Sequence, residues 1–84
     1  MTNKNRYKLT LDRPAVYQIQ VPGHLEEGRL DWLGEMELET SQDEAGLPIS
    51  TLTGSLDQAA LIGLLRRLYS LGLPLISVNC LEIG

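Results

Sequence analysis

An α+β fold, with one long helix packed on a small sheet of four strands, is predicted by this 84-residue sequence. Three observations predict it. Thr53 to Val78, TGSLDQAALIGLLRRLYSLGLPLISV, reads in order as a cap, an amphipathic helix, a glycine stop and a strand. Two segments, Ala15 to Val21 and Glu35 to Thr40, alternate in polarity with the period of two that a half-buried sheet requires. Turn residues at Pro22-Gly23 and from Ser41 to Pro48 separate the segments.

Each element has its own justification. Residues 1–13 form an N-terminal arm or an extra strand. The first five are polar, then Tyr7, Leu9 and Leu11 alternate with Lys8, Thr10 and Asp12 until Pro14 interrupts. In the strand Ala15 to Val21, Tyr17, Ile19 and Val21 share one face, with Gln18 and Gln20 on the other. Leu25 to Leu33 is either a helix of about two turns or a loop. Leu25, Trp32 and Leu33 fit helical spacing and Glu26 and Glu27 suit a first turn, while Gly28 costs about 1 kcal/mol against alanine. Glu35, Glu37 and Glu39 then point to one side of a strand, Met36 and Leu38 to the other. Ile49 to Thr53 is the next strand, ended by Gly54.

The long helix spans about 55–71. Ser55 is its expected N-cap, with Gln58 completing a capping box. Gly72 is its expected C′ residue, and Pro74 blocks continuation. Leu75 to Ile83 is the last strand. Leu75, Ile76 and Val78 make its first half apolar on both faces, as in a central strand.

The thirteen residues between the first two strands suffice for a parallel crossover through a short helix. The second and third strands make a hairpin, and the third and fourth are parallel through the long helix. This is the split β-α-β plan of ferredoxin-like folds, complete or reduced, with the helices on one sheet face. The rival is a three-strand meander with one helix.

Eighty-four residues make a single domain, 1–84, and a chain this short buries only about 60% of its unfolded surface. Such domains gain stability from disulfides, metal or oligomerisation. Cys80 is the only cysteine, and His24 and Cys80 are the only soft ligands, so oligomerisation is expected and no cofactor is implied. No segment resembles a signal peptide or approaches the roughly 18 apolar residues of a membrane span, so a cytoplasmic location is expected.

The net charge is −4. Lys4, Arg6, Lys8 and Arg13 make the first segment basic, whereas Glu26 to Glu44 holds eight acids against Arg29 alone. That middle disfavours a nucleic-acid backbone, which needs clustered cations. Arg66 and Arg67 read as a solvated helix face.

Candidate chemistry is thin. Glu35, Glu37 and Glu39 form a carboxylate row, but neighbours two apart on a strand are nearly 7 Å apart, too far for all three to share one ion. The plain reading is a solvated sheet face. His24, near Glu26 and Glu27, is a surface histidine or an acid–base group. Cys80 has no cation beside it in sequence and reads as buried and structural. Asp57-Gln58 reads as helix capping rather than a ligand grip.

From Gly23 onward the chain resembles a widespread group of short bacterial proteins of unassigned function. The resemblance rests on Gly23-His24-Leu25, Trp32, Leu52-Thr53-Gly54, Asp57 to Leu61, Gly63 to Leu65, and Leu71 to Val78. It covers about three-quarters of the chain and implies a fold without an activity. Relatives often carry histidine after A-A-L, where this chain has Ile62.

On a helical wheel Leu61, Leu64, Leu65, Leu68 and Leu71 form a central stripe, widened by Ala60, Ile62 and Tyr69 to about 200°, against the ~100° that faces one sheet. The excess calls for a second protein surface. The sequence therefore points to a non-enzymatic homodimeric interaction or regulatory module, with Ile62, Tyr69, Trp32 and Leu33 at the interface. A foreign protein partner is a further expectation. The alternative is a small-ligand-binding or enzymatic protein whose site, using His24 or Glu35, Glu37 and Glu39, forms between subunits.

Overall fold

The computed structural model describes residues 11–25 and 36–83. The elements are β1 (Ala15–Pro22), β2 (Glu37–Gln42), β3 (Pro48–Leu56), α1 (Gln58–Ser70) and β4 (Ser77–Ile83). The strands form one sheet in the order β2-β3-β1-β4, and every adjacent pair is antiparallel. The fold is thus α+β, a four-stranded antiparallel sheet with one described helix. β1 lies between β3 and β4, which run in the same direction and are joined through α1. That arrangement excludes the meander. The expected first helix falls on residues of which all but Leu25 lie outside the described ones, as do Trp32, Leu33, Glu35 and the strand or arm at residues 1–10.

Register places the core on one sheet face. Ala15, Tyr17, Ile19 and Val21 of β1 are all buried, as period-two alternation requires. Ile19 pairs with Leu52 on one side, and Leu52 with Leu38 beyond it. Leu61, Leu64 and Leu68 of α1 complete the cluster, with Met36, Leu38, Leu56 and Leu65 packed around it. The β2–β3 hairpin closes on Asp43, whose Oδ1 accepts from the backbone N–H of Ala45 and of Leu47, both at 2.9 Å. Gly46 turns the chain there with φ 83°.

Several strand and helix limits differ from the sequence reading; β2, for one, runs on to Gln42 through pairing of Ser41 with Ile49 and Gln42 with Pro48. β3 does not stop at Gly54, because pairing with β1 continues through Ser55 to Leu56. At Gly54 the strand instead meets Met36. A Cβ there would stand 2.7 Å from Met36 Cγ and 3.3 Å from Met36 Cα. Ser55, held in that ladder, is not the N-cap. The cap is Asp57, whose Oδ1 accepts from Ala60 N–H at 2.8 Å. Gln58 consequently closes no capping box, and its amide Nε2 donates to the Tyr17 hydroxyl at 2.5 Å.

The helix C-terminus is as expected. Gly72 has φ 79°, with Gly72 N–H donating to Tyr69 O at 2.9 Å and Leu73 N–H to Leu68 O at 3.0 Å. This is the Schellman pair of bonds.

The last strand is corrected most. β4 begins at Ser77 rather than Leu75, and among the described strands it lies at the sheet edge, not the centre. Its apolar run mimics a strand covered on both faces. Six of its seven residues are exposed.

Candidate interaction surface

α1 buries a narrower stripe than its apolar arc. Leu61, Leu64 and Leu68 face the sheet, and Leu65 is half-buried. Ile62 and Tyr69, two turns apart on one flank, are 45% and 83% exposed, and Leu71 is exposed as well. At the helix end Tyr69, Gly72, Leu73 and Pro74 line a shallow apolar depression. Leu75 follows directly, also exposed.

The apolar surface continues onto β4. Val78 pairs with Ile19, Cys80 with Tyr17, and Ile83 with Ala15, so these three share the core-facing side of the sheet. Their β1 partners are buried. Val78 and Ile83 are nevertheless 38% and 39% exposed, and Cys80 is exposed. The core therefore runs past β1 and lies open at β4. The expectation that Cys80 is a buried structural thiol is overturned for this reason: the strand that carries it forms the sheet edge.

The opposite sheet face is polar. Register aligns Glu39, Thr51, Gln20 and Ser77 in one row and Glu37, Thr53, Gln18 and Asn79 in the next. Gln20 ties three strands together. Its Oε1 accepts from Ser77 Oγ at 2.9 Å, and its Nε2 donates to Thr51 Oγ1 at 3.4 Å. Glu37 and Glu39 are exposed on this face, beside a shallow depression bordered by Met36 and Leu38. Among the described residues no three of His, Cys, Asp and Glu come together in a way that could hold a metal ion.

His24 stands apart from Glu37 and Glu39. It follows the end of β1, beyond the Pro22–Ile49 pair, whereas Glu37 is level with Thr53 at the other end of β3. His24 is exposed, and the flanking backbone is fastened instead. Ser50, fully buried, donates its hydroxyl to Gly23 O at 2.7 Å and accepts from Leu25 N–H at 3.0 Å. Gly23, with φ 98°, also donates its N–H to Pro48 O at 2.9 Å. Gly23-His24-Leu25 is thus a clamped turn that presents His24 outward. Ser50 gave no signal in the sequence, since a serine on an alternating strand reads as solvent-facing.

Among the described residues, an apolar flank thus joins the helix end to the β4 edge of a small α+β domain. The chain belongs to the family described as a domain of unknown function (DUF8691), whose profile matches residues 16–79. No curated protein and no solved structure matches the chain. No helix among the described residues is long and apolar enough to cross a membrane.

Proposed function

We propose that this chain is a small homodimeric interaction or regulatory module, without enzymatic activity, working in the cytoplasm as one of a group of short bacterial proteins. Its fold follows the split β-α-β plan of ferredoxin-like folds, complete or reduced. β1 lying between β3 and β4, and β3 between β1 and β2, supports that plan.

The observation that carries the functional reading is the exposed apolar flank at Ile62 and Tyr69, continued through Leu75 to β4. A surface of this kind on so small a domain is covered by another protein surface, and symmetric pairing is the commonest way to cover it. Sedimentation of the wild type and of an Ile62→Glu, Tyr69→Glu variant tests the reading. The wild type is expected to be a dimer, weakened by the double substitution. A wild type that remains monomeric at high micromolar concentration ends the proposal.

A further inference from the structure

We infer that two copies pair edge to edge through β4, antiparallel to each other, and so continue the four-stranded sheet into one of eight strands. The inference rests on the dimer reading above and specifies its geometry.

The two edges of the sheet differ in how they are guarded. An edge strand offers unpaired backbone N–H and C=O groups, and proteins blunt such edges with charge, proline or a covering segment. β2 carries Glu37 and Glu39 within ELETSQ. β4, SVNCLEI, holds only Glu82 among charged residues and has no proline. It is also exposed along six of its seven residues. Among the described residues, one edge carries protection against pairing and the other does not.

Charge selects the occupant. Pairing β4 with the β2 edge of another copy would set Glu82 near Glu37 and Glu39, like against like, and would propagate an open polymer. Pairing β4 with β4 closes on a two-fold axis. Full overlap of the seven-residue strand with itself puts that axis at Cys80, its middle residue. The irregularity between Val16 and Tyr17 turns Glu82 to the face opposite Val78 and Cys80, and the two Glu82 carboxylates lie toward opposite ends of the seam.

The available surface is of the right order. The exposed parts of Tyr69, Leu75, Ile76, Val78, Leu81 and Ile83 equal roughly three whole large side chains, on the order of 500 Å² per copy. A standard interface needs about 800 Å² per partner, and the strand backbone with Asn79, Cys80 and Glu82 supplies the remainder. Val78, Cys80 and Ile83 of both copies would form one apolar stripe continuous with both cores.

The single cysteine makes the test direct. Wild-type protein, shown to be dimeric by sedimentation, is treated with a short bis-maleimide, with Cys80→Ser as the control. Val78→Lys and Leu81→Lys introduce the charge that guarded edges carry, and Glu39→Lys alters the other edge. Folding of each variant is checked by circular dichroism. The expected result is a covalent dimer through Cys80 and a dissociation constant raised at least about tenfold by either β4 lysine, with Glu39→Lys unchanged. A dimer that fails to cross-link and keeps its affinity in both β4 variants overturns edge pairing while leaving the dimer reading intact. A monomeric wild type overturns both.

Discussion

Replacing Gly54 with alanine tests how closely Met36 approaches β3. Alanine in a strand is ordinarily favoured over glycine by about 0.5–1 kcal/mol, because glycine loses more backbone freedom on folding. Here the new Cβ would stand 2.7 Å from Met36 Cγ and 3.3 Å from Met36 Cα and Cβ. Carbon atoms prefer about 3.5–4.0 Å, so the Cγ contact is roughly 1 Å too short. Two of the three contacts are to atoms that no rotamer change can move far. Overpacking of this kind costs about 1–3 kcal/mol, which outweighs the entropic gain and leaves a net loss of about 1–2 kcal/mol. Met36→Ala removes Cγ and should relieve part of that loss. Urea denaturation of the wild type, both single variants and the double variant, at one fixed protomer concentration, forms the cycle. The double variant should be at least about 1 kcal/mol more stable than the sum of the single effects. Additivity within about 0.5 kcal/mol, or a Gly54→Ala protein more stable than wild type, would refute the close approach.

Two further predictions concern the helix ends. Asp57→Ala should cost about 1 kcal/mol, or about 4–8 °C in Tm for a domain of this size, while Ser55→Ala should change thermal unfolding far less. Equal losses would return the cap to Ser55. Gly72→Ala forces a side chain into a left-handed conformation at φ 79° and should cost about 1–2 kcal/mol in chemical denaturation. Gly72→Asn should be milder, and an alanine variant of unchanged stability would contradict the Schellman geometry.

Local signals in the sequence were sound where one covalent neighbourhood decides the structure. The alternation of Tyr17, Ile19 and Val21 gave the buried face of β1, and Gly72 before Pro74 gave the helix end. Signals failed where partners distant in sequence decide. Ser55 and Asp57 are both good caps in isolation. Only the pairing of Val16 with Ser55 and Ala15 with Leu56 takes Ser55 out of contention. Leu75, Ile76 and Val78 read as a covered strand because apolarity reports the need for burial, not who provides it. The same run at a sheet edge is the feature that points to a partner. Ile62 and Tyr69 were legible as excess on the helical wheel, whereas the open core at Cys80 and the Ser50 clamp depend on register and so were not.

Amide hydrogen exchange followed as a function of protein concentration tests the edge-paired dimer most directly. Backbone groups on the outer side of β4 meet no strand among the described residues of one copy, and edge pairing would hydrogen-bond them. Exchange in Ser77–Ile83 should therefore slow as concentration rises, while Glu37–Gln42 of β2 exchanges at a constant rate. Protection that is independent of concentration in β4, or that rises in β2 instead, would contradict the account.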